Sequence, residues 1–140
     1  MTATLNLMKL CVGCDDPAEL QRWQAQHFRG GPARHITRMW PKREAELLAG
    51  GSIYWVFKGM MQARQRLIGL EEVEGADGIR RCALILAPEM VRVAAVPRRP
   101  FQGWRYLTTT DAPPDLPAGR EEETPLPPEI ARALAEMGLR

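Results

Sequence analysis

The sequence predicts an α+β domain: a bent mixed sheet or small pseudo-barrel, two helices at its rim, and a proline-rich C-terminal tail. Three observations predict it. Two segments with helix-start signals come early in the chain. They are followed by four or five apolar or alternating segments joined by glycine and proline turns. Past Thr108 the composition changes abruptly, with DAPPDLPAGREEETPLPP carrying six prolines and no packing pattern. At 140 residues the chain holds one ordinary domain with its own core, placed at residues 1–107, and a tail at 108–140.

Taken in order, TLNLMKLCV (4–12) is apolar and partly alternating, and reads as a strand. Asp16 then suits a helix cap, Pro17 the first helical position, and Glu19 the residue that reaches back to the cap amide. Leu20, Trp23, His27 and Phe28 follow at helical spacing and are expected to pack inward, until Gly30-Gly31-Pro32 ends the helix. His35 to Met39 reads as a short strand, and PKREAELLAG as a second helix starting at Pro41. SIYWVFK (52–58) is nearly all apolar, as in a strand covered on both faces. MMQARQRLIGLEEVE (60–74) alternates, with Met61, Ala63, Gln65 and Leu67 on one face and Gln62, Arg64, Arg66 and Ile68 on the other. It closes at the turn Gly75-Ala76-Asp77-Gly78. IRRCALIL (79–86), VRVAAV (91–96) and residues 101–107 supply the last strands. PPEIARALAEMGL allows a short closing helix through Ile130, Leu134 and Met137.

Composition narrows the function. No apolar run approaches the roughly 20 residues of a membrane helix, and MTATLNLMKL lacks the pattern of an export leader, so a cytoplasmic protein is expected. Three cysteines, an odd number, argue against a secreted disulfide framework. The net charge of +2 hides an asymmetry: residues 1–107 carry 16 Lys/Arg against 10 Asp/Glu, and residues 108–140 carry 3 against 7. A basic body with an acidic tail fits a polyanionic partner, the tail screening the basic face. Simple solubility accounts for a modest excess of arginine equally well.

PRRPFQGWRYL (97–107) carries the sharpest signal. It sets Arg98, Arg99 and Arg105 around Phe101, Trp104 and Tyr106, which is charge for phosphates beside flat rings for bases. The alternative is a strand with its aromatics inward and its arginines in water. Gln62, Arg64 and Arg66 form a second polar strand face. There arginine suits phosphate and an amide suits a base edge, while a solvated outer face explains them too. Cys11-Val12-Gly13-Cys14 could share a metal or act as a redox couple. A lone pair of this spacing, ending before the helix cap, reads first as small buried thiols. His27 and His35 are isolated. There is no nucleophile elbow, phosphate-binding glycine loop or histidine–carboxylate pairing, so no catalytic residue, metal or cofactor is expected.

At KLCVGC, at HITRM with the following PKR helix, at GGSIYWVFKG, QARQRLIGL and RRPFQGWRYL, the chain resembles an uncharacterised bacterial domain-of-unknown-function family, over about residues 5 to 115. That family supplies no activity to carry over. More weakly, the run of helix, Gly-Gly, apolar strand and QARQRLIGLEEVE is similar to the PUA, ASCH and EVE small barrels. That likeness implies a PUA-like pseudo-barrel and a cleft for RNA or a modified base. The Gly-x-Lys-x-x-Glu-x-Arg run of ASCH domains is not reproduced: Gly59 to Arg66 supplies glycine and arginines but no lysine or glutamate at those places.

The expectation is a non-catalytic module for RNA or a modified nucleotide. Arg64, Arg66, Arg98, Arg99 and Arg105 would hold phosphate, and Trp104 with Gln62 would hold a base. The competing readings are a metal- or thiol-dependent protein centred on Cys11 and Cys14, and an interaction module whose tail docks a protein partner.

Overall fold

The computed structural model describes residues 4–116. They form β1 (Leu5–Leu10), α1 (Pro17–His27), β2 (Ala33–Thr37), α2 (Glu44–Leu47), β3 (Ser52–Phe57), β4 (Met60–Glu74), β5 (Arg80–Leu86), β6 (Val91–Pro97) and β7 (Trp104–Thr108). The seven strands make one mixed sheet in the order β2-β5-β4-β3-β1-β7, with β6 also beside β4. β1 runs parallel to β3, and the other pairings are antiparallel. The sheet does not close into a pseudo-barrel: it is an open mixed sheet with β2 and β7 as its ends. No helix among the described residues is long and apolar enough to cross a membrane.

β4 organises the molecule because its 15 residues serve three partners. One edge pairs with β3 at Met60–Arg66. The remaining pairings go to β6 at Met60–Arg64 and to β5 at Leu67–Glu74. The change of partner coincides with a register shift between Leu67 and Gly69, where the strand bends. β3 and β4 are joined by the two-residue turn Lys58-Gly59, with φ of 47° and 82°. Two successive left-handed residues match the twist of a tight hairpin, and glycine takes the second at no steric cost.

The main core lies on the first face of the sheet, where Leu5, Leu7, Ile53, Trp55, Ala63 and Leu67 meet Leu20 of α1 and Leu47 of α2. A smaller cluster on the second face joins Tyr54, Val56, Met61, Val93 and Leu107, with Phe101 and Ala112 against it. Met61 was expected on the face of Ala63 and Gln65. Instead, Val56 pairs with Met61 and Trp55 with Ala63, so Gln62 is an extra, bulged residue that turns Met61 to the second face.

Helix α1 starts as its sequence requires. The Asp16 side chain accepts from Glu19 N at 2.8 Å, while Glu19 Oε2 accepts from Asp15 N at 3.0 Å, one residue before the expected amide. Its buried line is Pro17, Leu20 and Gln24, with Phe28 partly buried. Trp23 is instead 50% exposed and stacks on the exposed His27, at 4.7 Å and 10° between rings. Gln24 takes the inward place because a buried amide on β4 receives it.

The second helix is shorter than its pattern, four residues against the ten of PKREAELLAG. Past Thr108, residues 109–116 do not leave the domain. Asp115 bridges Val93, Ala94 N donates to Pro114 O at 2.9 Å, Leu116 N donates to Arg92 O at 2.9 Å, and Pro113 is buried. The rest of the expected tail and its closing helix lie outside the described residues.

Candidate functional site

A cleft of about 350 Å³ opens on the second face. Asn6 of β1, Ser52 and Tyr54 of β3 and Arg64 of β4 line one side, and Thr109 with residues 112–115 line the other. Strand register explains why these side chains share a face. Asn6 lies beside Leu107 of the second-face cluster, Met8 beside Tyr54, Tyr54 beside Arg64, and Ser52 beside Arg66. With a side-chain period of two, Asn6, Ser52, Tyr54, Arg64 and Arg66 all project from that face.

Arg64 is the centre of the cleft. Its Nε and Nη2 donate to the two carboxylate oxygens of Asp115, each at 2.7 Å, and its Nη1 donates to Ser52 Oγ at 2.9 Å. This is the two-point fork that makes arginine a carboxylate and phosphate ligand. The Asp115 carboxylate holds Arg64 still more firmly protonated, and Arg64 in turn holds Asp115 below the usual carboxylate range. Burial raises the Tyr54 phenol above its ordinary value, with the Arg64 charge opposing the rise. Ser52 N donates to Asn6 Oδ1 at 2.9 Å, which fixes the Asn6 amide.

The expected arginines lie on one side of the sheet but at two ends of it. Arg64 lines the cleft, and Arg66 follows on the same face one row further along β4. Arg105 pairs with Met8, in the same transverse row as Tyr54 and Arg64. Arg98 and Arg99 begin the loop that crosses the second face with Phe101, and Arg98 N donates to Gly59 O at 2.8 Å. From Met60, beside that loop, to Arg66 is six residues of strand, about 20 Å. The expected convergence at one hollow is therefore not what the chain builds.

Trp104 stands apart from these arginines. It is 6% exposed in the main core of the first face, with its Nε1 donating to Met39 O at 2.9 Å and its ring edge-on to Tyr106. The indole offers no open face for stacking. Gln62, at the bulge, is partly buried.

Charge pairing separates the arginines further. Arg34 pairs with Glu71, Arg43 with Glu46, Arg64 with Asp115, Arg80 with Glu72 and Arg81 with Asp77. Arg66, Arg98, Arg99 and Arg105 have no carboxylate partner among the described residues, and neither do Arg22, Arg29, Arg38 and Arg92. Arg105 instead donates to Gln102 O at 2.8 Å and lies 5.8 Å from the Phe101 ring centre.

Cys11 and Cys14 are half-buried neighbours against the main core. Burial and the adjacent Cys14 push the Cys11 thiol up to about 12, the reverse of an activated thiolate. Among the described residues no three histidine, cysteine or carboxylate side chains are grouped to hold a metal ion.

Sequence reasoning missed Asn6, Ser52, Tyr54 and Asp115 as cleft residues. The available signal was a polar residue inside an apolar strand, as Asn6 is in LNL. Asp115 carried none, because its partner is 51 residues away.

Comparison with curated proteins and with solved structures returns no match. A family model does match residues 7–140, further than the motifs quoted above and through the whole C-terminal segment. The chain belongs to the family described as Protein of unknown function (DUF1489).

Proposed function

We propose that the protein is a cytoplasmic nucleic-acid-binding module for RNA or a modified nucleotide, without catalytic activity of its own. One observation carries this reading: Arg66 and Arg105 project from the second face and Arg98 and Arg99 begin the loop beside it, and none of the four has a carboxylate partner among the described residues. A guanidinium without a carboxylate partner is available to a phosphate at no cost in a broken ion pair, although Arg98 and Arg105 each also donate to backbone carbonyls. The spread of these groups over about 20 Å suits a strand of several nucleotides better than a single small ligand. In this reading Trp104 is a core residue, and affinity comes from phosphate contacts.

Fluorescence anisotropy with a labelled single-stranded RNA tests the reading. Binding should weaken steeply in the Arg98→Glu/Arg99→Glu variant, which leaves the core untouched. Equal binding by that variant and the wild type would remove the reading.

A further inference from the structure

We propose that the cleft on the second face binds a phosphate group, free or as a monoester, which takes from Asp115 its place on Arg64. This site does not depend on the nucleic-acid reading, since none of Arg66, Arg98, Arg99 and Arg105 lines the cleft.

Two donors without a protein partner, on side chains otherwise packed into the sheet, face the cleft. Asn6 is 4% exposed and Tyr54 7%, and both line the cleft. Asn6 uses its Oδ1 on Ser52 N, but among the described residues its Nδ2 and the Tyr54 hydroxyl make no hydrogen bond. The Ser52 hydroxyl accepts from Arg64 Nη1, so its own proton remains free to donate. Asn6, Ser52, Tyr54 and Arg64 thus present donors to one space. They outnumber what the two oxygens of a carboxylate use best and suit the three terminal oxygens of a phosphate.

Asp115 already demonstrates the chemistry. Its two oxygens sit on Nε and Nη2 of Arg64 at 2.7 Å, as a bidentate phosphate would. It is also the one acidic residue of the cleft lining. Its side chain is 44% exposed, and its segment is held to β6 by the backbone bonds at Pro114 and Leu116. Turning the carboxylate out to water leaves a cationic, donor-lined space, so Asp115 acts as a built-in competitor. The cleft volume leaves room for the organic part of a monoester beside the phosphate.

The test is calorimetry and amide NMR with inorganic phosphate, phenyl phosphate and acetate, at fixed ionic strength in chloride, on the full chain and its Asp115→Asn variant. Saturable phosphate or phenyl phosphate binding is expected, shifting the Ser52 and Tyr54 amides, and about tenfold tighter in Asp115→Asn because the competitor is gone. The tighter of the two ligands names the source. Tyr54→Phe in the Asp115→Asn background should weaken binding about threefold or more. Arg98→Glu/Arg99→Glu should leave it unchanged, which separates this site from the nucleic-acid reading. No saturable binding by Asp115→Asn, equal affinity with and without Asp115, or acetate binding as tightly as phosphate would each overturn the proposal.

Discussion

Gln24 of α1 and Gln65 of β4 face each other inside the main core and exchange two hydrogen bonds, Gln24 Nε2 to Gln65 Oε1 at 3.0 Å and Gln65 Nε2 to Gln24 Oε1 at 2.6 Å. Gln65 is fully buried. Its Oε1 also accepts from Trp55 Nε1 at 2.9 Å, and its Nε2 donates to Ala87 O at 3.1 Å. One amide thus ties α1, β3, β4 and the β5–β6 connection together, with all its hydrogen-bonding capacity used.

Gln65→Leu should destabilise the protein more than Gln24→Leu. The first strands Trp55 Nε1, the Gln24 amide and Ala87 O, while the second leaves Gln65 with its Trp55 and Ala87 bonds. Each stranded buried group costs about 1–3 kcal/mol. Urea denaturation of the two variants gives the order, and equal losses would refute it.

Gly51→Ala should be among the most damaging small substitutions. A Cβ there would collide with the backbone oxygens of Leu5 and Leu47, and neither β1 nor α2 can step aside without losing its own pairing. A loss above about 4 kcal/mol is expected, the range reserved for strain or core disruption. The check is a thermal melt of Gly51→Ala against Gly50→Ala, where the added Cβ meets only the Thr4 hydroxyl at 3.9 Å. Because Gly50 has φ of 94°, that control also carries backbone strain, yet it should lose less.

His35 predicts acid sensitivity. Burial, with the Lys9 charge, lowers its pKa from 6.5 to about 4, its ring packs edge-on to Trp55, and its Nε2 has no partner among the described residues. The unfolded chain therefore takes up a proton near pH 6.5 that the native state refuses until about pH 4. This contribution is complete above pH 6.5 and is lost as pH falls towards 4, to the extent of about 2–3 kcal/mol. His35→Phe should flatten that part of the stability–pH curve, and an unchanged slope would rule out His35 as its source.

Trp104→Phe should lower stability by about 1–2 kcal/mol, because Met39 O loses its donor and the core loses volume. RNA affinity should not change. A loss of affinity without a loss of stability would restore the indole to a binding role.

Much of the architecture was legible from local signals. The Asp16 cap, the apolar run of β3, the alternation of β4 and the turn at 75–78 each declare themselves within a few residues. What stayed hidden depends on distant partners. Trp23 fits an inward stripe by spacing alone, yet Gln24 is buried instead because Gln65, 41 residues away, satisfies its amide. Met61 changes face through a bulge that no single residue announces. The cleft needs the 109–115 segment, whose prolines read as a tail although Asp115 closes onto Arg64. Of the expected binding residues, the arginines were legible as charge, but their ion pairs and their spacing on the sheet were not.

The salt dependence of single-stranded RNA binding tests the central claim most directly. Four phosphate contacts, by Arg66, Arg98, Arg99 and Arg105, predict a slope of about −3 in log affinity against log salt, with Arg98→Glu/Arg99→Glu bringing it about 1.4 closer to zero. A slope near zero, or one that the double variant leaves unchanged, would contradict the claim.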